Sequence, residues 1–106
     1  MVQNGNWRIT TYNDSGTDET YHFTDYIFTF NNGTMTATKG SSVVTGSYAN
    51  GTDDSQKKFI LNFGTTSPFD ELNDDWHVIE EASAKIRLED VSVGNGGTDL
   101  LTFEKN

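Results

Sequence analysis

Three acidic side chains on one short loop, Asp14, Asp18 and Glu19, are the most chemically suggestive cluster in this chain. Hard cations such as Ca²⁺ take several oxygen ligands, and Asp14-Ser15-Gly16-Thr17-Asp18-Glu19 spaces its carboxylates usably for that purpose. The run lacks the full helix-loop-helix calcium pattern, so a solvated acidic loop is the plain alternative. Catalytic signatures are missing. There is no Gly-x-Ser-x-Gly elbow, no phosphate-cradling Gly-x-x-x-x-Gly-Lys and no His-x-x-x-His metal spacing. His22 and His77 fall out of phase with their apolar neighbours, which places both at the surface. Glu80-Glu81 and Asp74-Asp75 imitate carboxylate dyads, but sequence neighbours on a strand face opposite ways. Acid–base work also needs one partner buried enough to raise its pKa. No enzyme activity and no cofactor is expected.

Bulk composition narrows the partners. The net charge is −9 and the pI about 4.3, so phosphate backbones are repelled and no nucleic-acid partner is expected. Anionic membrane surfaces are disfavoured for the same reason. The chain has no cysteine, which removes disulfides, thiolate metal sites and cysteine nucleophiles together. Its apolar runs are far too short for a membrane-spanning helix. At 106 residues the expectation is one domain over 1–106, acting as a monomer. Apolar content is only 33%, so the seven Phe, four Tyr and two Trp must supply much of the core, at roughly 150–250 Å² each. Met1 stands so close to Trp7 that no signal peptide fits between them. Abundant Thr, Asn, Asp and Gly without Cys suits a bacterial envelope or secreted domain. The Asn-x-Ser/Thr sequences at Asn13, Asn32 and Asn50 would matter only in a eukaryotic secretory host.

The elements that must carry these residues follow from turns and alternation. Asn-Gly pairs at Asn4, Asn32, Asn50 and Asn95 supply the positive φ angles of tight hairpins. Strand segments are expected over 6–12, 26–30, 34–38, 42–48, 58–63, 76–80, 85–89 and 99–104, with 50–56 as a polar loop. Between 21 and 30 the alternation slips, with Phe23 on odd parity and Tyr26, Phe28 and Phe30 on even. An interruption is expected at Thr24-Asp25, with Phe23 on a connecting segment that plugs one end of the core. Gly46, in mid-strand, implies close approach of a neighbour. Ser67-Pro68 followed by Asp70 and Glu71 has the grammar of a helix start, giving one short helix near residues 68–74 with Phe69 and Leu72 inward. The whole is an all-β chain forming an eight-stranded antiparallel up-and-down barrel, with a sandwich of two four-stranded sheets as the alternative.

That topology sorts the loops. Alternate connections of a meander share an end, so Asp14, Asp18 and Glu19 should meet Asp70, Glu71, Asp74, Asp75, Asp90 and Asp99 in one acidic rim. Eight strands enclose an interior that side chains just fill or that holds one small ligand. With so many rings on short strands, filling is the favoured outcome. An open interior would be lined by Trp7, Phe28, Phe30, Tyr48, Phe59, Phe63 and Trp76, and the Tyr48 hydroxyl would need a polar partner.

Several motifs in order add a family expectation. They are Gly5-Asn6-Trp7-Arg8-Ile9, Tyr26-x-Phe28-x-Phe30 with Asn-Gly-Thr after it, and Val44-x-Gly46-Ser47-Tyr48. Leu72-Asn73-Asp74-Asp75-Trp76 and Leu101-Thr102-Phe103-Glu104-Lys105 complete the set. Together they resemble the lipocalin-like domain of Gram-negative envelope lipoproteins, a short calycin barrel. The resemblance implies a binding module for a small apolar or amphipathic ligand, secreted, periplasmic or held at the cell envelope. Membrane contact would come only through a lipid-attachment Cys upstream of Met1. Tyr48 stands where the family commonly has Trp. The competing expectation is a solid-core interaction or structural domain whose partner meets the acidic loop end, and a version of it stabilised there by Ca²⁺ is the third.

Overall fold

Thr, Ser, Lys and Arg alternating with large apolar residues give period-two segments that bury one face each. The computed structural model describes residues 5–53, 56–67, 69–91 and 97–106. Asn4, Asp54, Pro68, Gly94, Asn95 and Gly96 lie outside the described residues. Nine strands result among the described residues: β1 (Trp7–Asp14), β2 (Thr17–Asp18), β3 (Ile27–Asn31), β4 (Thr34–Lys39), β5 (Ser42–Asp53), β6 (Gln56–Asn62), β7 (Asp74–Glu81), β8 (Lys85–Val91) and β9 (Thr98–Lys105). From β3 to β9 each strand pairs antiparallel with the next, and β9 returns to β1 along Trp7–Lys105 to Asn13–Leu100. One further pair, Trp7–Phe28, joins β1 to β3. β2 is a two-residue spur on the end of β1. The eight long strands therefore close an up-and-down barrel, as a lipocalin-like architecture requires, and not a two-sheet sandwich. No described helix is long and apolar enough to cross a membrane.

The parity slip before β3 has the expected cause. Thr20–Phe23 forms a 3₁₀ turn, Thr24-Asp25 reverses the chain with Asp25 at φ 75°, and the regular strand begins at Ile27. Phe23, 1% exposed, plugs the barrel against Tyr12 and Phe69, each at 5.5 Å between ring centres. Gly46 is equally well explained. A Cβ there would lie 2.6 Å from the Asn62 carbonyl oxygen and 2.7 Å from the Phe63 ring. Only a residue without a side chain lets Phe63 cross over β5.

Three features differ from the reading of the sequence. The short helix near 68–74 contracts to a single 3₁₀ turn, Phe69–Leu72. Its early stop has a local reason: the Asn73 side chain accepts the Phe63 N–H and donates to the Gly64 carbonyl at 2.8 Å. That clamp pulls the chain back to the end of β6, and β7 begins at Asp74 opposite Leu61. Second, Asn50-Gly51 makes no turn. β5 runs through it to Asp53, with Asn50 opposite Phe59 and Gly51 opposite Lys58, so the polar loop expected over 50–56 is mostly strand. Third, alternation with Trp7 and Ile9 inward and Arg8 and Thr10 outward puts Tyr12 outward, but a register shift between Ile9 and Thr11 rotates it into the core, where it is 2% exposed. A bulge inverts parity, and simple alternation cannot anticipate one.

The barrel has two unlike ends. At one of them lie residues 15–26, 40–41, 63–67 and 69–73, capped from within by Phe23, Phe69 and Leu72. At the other lie the Asn32-Gly33 turn, the β5–β6 tip and residues 82–84.

Candidate functional site

At the first end four carboxylates take inward register positions on four adjacent strands. Asp74 precedes Trp76 by two residues on β7, Asp90 follows Leu88 on β8, Asp99 precedes Leu101 on β9, and Asp14 follows Tyr12 on β1. Period-two geometry then aims all four at the barrel axis, where each is half-buried. Asp90 and Asp99 are direct cross-strand partners. Carboxylate oxygens of Asp74, Asp90 and Asp99 come within 4.8 Å of one another.

Like charges this close, placed opposite each other, repel, and the arrangement relaxes by retaining a proton. A hydrogen bond with Asp74 is the leading reason that Asp90 is pushed up to about 7, followed by burial and the charges of Asp74, Asp99 and Asp75. Burial also raises Asp99, against the Ser15 N–H that donates to its Oδ1 at 2.9 Å. Beneath the rim the Tyr12 hydroxyl donates to the Glu71 carbonyl at 3.2 Å. Burial, then the surrounding acids, raises its pKa far above the usual phenol value.

The expected acidic rim is present, but its ligand geometry is redistributed. Asp14, Asp18 and Glu19 do not form one cluster among the described residues. Asp18 is taken up locally, accepting from the Thr20 hydroxyl at 2.6 Å and the Thr20 N–H at 3.0 Å, which lowers its pKa. Glu19 instead joins His22 and Glu71, with His22 Nδ1 at 3.1 Å from Glu71 and 3.4 Å from Glu19. Burial is the first cause of the raised Glu19 pKa, with the Glu71 charge next. His22 is thus half-buried between two carboxylates and not a free surface residue, because the 3₁₀ turn discards strand parity. By spacing, Asp74, Asp90 and Asp99 are the oxygen set that suits a hard cation. A sequence signal for them existed: each stands two residues from an inward apolar side chain.

The residues expected to line an open interior fill it instead. Trp7, Phe28, Phe30, Phe59, Phe63 and Trp76 are all at most 4% exposed. Phe30 meets Phe59 at 5.8 Å, Phe103 at 5.5 Å and Trp7 at 6.4 Å, mostly edge to face. Tyr48 is the exception. It is half-buried at the second end, edge-on to Phe30 at 5.3 Å and tilted on Phe59 at 5.6 Å.

Around Tyr48 the wall is notched. β4 pairs with β5 only as far as Ser47, yet β5 continues to Asp53. The Tyr48 N–H still reaches the Gly33 carbonyl at 3.0 Å. Beyond it, no described strand runs beside Asn50 and Thr52 on that edge. The resulting concavity has a volume of about 510 Å³ and is lined by Phe30, Asn31, Asn32, Gly33, Tyr48, Ala49 and Asn50. None of these is charged, in a chain with 16 acidic and seven basic side chains. A second, open concavity of about 330 Å³ shares Asn50 and is lined also by Lys57, Lys58 and Glu81, with Lys57 and Glu81 paired at 3.2 Å. Compared with family models, curated proteins and solved structures, the chain matches none, so its reading rests on its own residues.

Proposed function

We propose that this barrel is a non-enzymatic binding module that takes a small, uncharged amphipathic molecule at the Tyr48 notch. The observation that carries the reading is the charge-free concavity beside a half-buried aromatic ring. Its volume of about 510 Å³ falls within the range of small-molecule sites, roughly 300–1,000 Å³. A fully apolar guest in the interior is disfavoured, because it would have to displace rings already packed against each other. The rim position instead offers Tyr48 as an apolar face and amides as polar contacts. An acidic protein that leaves one concavity uncharged avoids the desolvation cost of bringing a ligand against carboxylates.

The test uses the built-in reporter. Trp7 packs on Phe30, which packs on Tyr48, so occupancy of the notch should change tryptophan emission. Octyl β-D-glucoside, kept below its micelle concentration, is expected to give a saturable change. Tyr48→Ala is expected to weaken that response at least about tenfold. Oleate, charged and fully apolar in its tail, is expected to leave the emission unchanged. An octyl glucoside titration with no saturable response would remove the reading.

A further inference from the structure

Asn32 needs no functional explanation. It sits at φ 50° before Gly33 at φ 87°, the pairing a two-residue hairpin turn demands. Asn50 is different. It lies inside a 12-residue strand, three residues before its end, and Asn is depleted in strands because its side chain competes with the backbone for hydrogen bonds. The position is two residues beyond Tyr48 on the same face of β5, opposite Phe59, and its side chain is exposed beside the notch. On that edge of β5 its backbone also has no described strand beside it. An amide side chain, a backbone edge and a half-buried ring therefore meet at the notch, whose own lining is uncharged, with Lys57, Lys58 and Glu81 on the neighbouring concavity.

We infer that the Tyr48 notch is a subsite for a neutral carbohydrate, with Tyr48 under the apolar face of a pyranose and Asn50 bonding its hydroxyls. This rests on the binding reading above and names the ligand class for the same site. An amide presents a donor and an acceptor side by side, which matches two neighbouring sugar hydroxyls that each donate and accept. A hydrocarbon would leave these amides unsatisfied. An ionised ligand would find no counter-charge in the lining. A pyranose ring is polar at its edge and apolar on its face, the combination that the notch offers.

The experiment is an amide-detected NMR titration of the full chain. The probes are methyl β-D-glucopyranoside, maltose, cellobiose and N,N′-diacetylchitobiose at millimolar concentrations. A neutral amphipath without a sugar ring, tetraethylene glycol monooctyl ether, serves as the contrast. Saturable shifts are expected for at least one sugar at the Asn50 side-chain amide and the Gly33 and Ala49 backbone amides. Asn50→Ala is expected to weaken that sugar at least about tenfold while leaving the remaining spectrum folded. Asn50→Gln, which keeps the amide, should recover part of the affinity. If the ether shifts these signals and no sugar does, the carbohydrate assignment fails and the binding reading stands. If neither sugar nor amphipath moves them, both fail. Sugar shifts confined to other residues would overturn the placement.

Discussion

Trp76→Ala is expected to lower the unfolding free energy by about 3–5 kcal/mol, much of what a domain this size possesses. Two losses combine. The ring is 1% exposed and central to the core, so its removal leaves a cavity that packed rings cannot collapse to fill. Its Nε1–H donates to the Leu72 carbonyl at 2.9 Å, inside the barrel, and that acceptor would be left buried without a partner. The bond also ties the Phe69–Leu72 turn to β7, so the plug at the acidic end should loosen with it. Urea denaturation with an unchanged m-value would measure the effect. A loss below about 1 kcal/mol would show that this side chain does not hold the core together. Phe28→Ala, at 0% exposure, belongs to the same class of loss.

Stability is expected to fall as pH rises from 5 to 8, the reverse of the usual acid denaturation. Asp90 is held from an ordinary 3.8 up to about 7, chiefly by its hydrogen bond with Asp74. The folded chain therefore binds a proton more tightly than the unfolded chain does. That contribution is fully present below the unfolded value near 4 and is lost as pH climbs through 7. Unscreened, such a displacement is worth about 4 kcal/mol. At this half-exposed rim water reduces it to about 1–2 kcal/mol, or roughly 5–10 °C in Tm. The raised Glu19 and Asp99 act in the same direction. Asp18 acts in the opposite one: its lowered pKa gives stability that is present above the unfolded value and lost at more acid pH, outside this window. Asp90→Asn keeps a similar shape without the titration and should flatten Tm between pH 5 and 8. An undiminished slope in that variant would place the cause elsewhere.

Much of the barrel was legible from alternation. Trp7, Ile9, Phe28, Phe30, Phe59, Leu61, Trp76, Ile86, Leu88, Leu101 and Phe103 all fall on the inward parity and all are buried. The slip between Phe23 and Tyr26 correctly marked an interruption, because no single strand can hold both parities inward. Where the chain leaves period two, reading by parity failed. Tyr12 turned inward behind a bulge, and His22 was tucked between Glu19 and Glu71 by a 3₁₀ turn. Asn50-Gly51 carries a strong turn signal, yet pairing with β6 held it extended.

The acidic end divides the same way. Loop order alone gathered the carboxylates at one rim, because alternate connections of a meander share an end. Which of them touch depended on stagger between strands. Asp90 meets Asp99 because β8 and β9 pair in that register, and Asp74 arrives from β7 beside them.

Period-two burial is a local property, written into each strand by the solubility of its side chains, and so the sequence by itself determined the eight barrel strands, most of their inward faces and the all-β class. Distances between residues far apart in the chain are set by register, bulges and barrel closure. Those arise only when all strands pair at once, and they alone decided the carboxylate cluster, the filled interior and the Tyr48 notch.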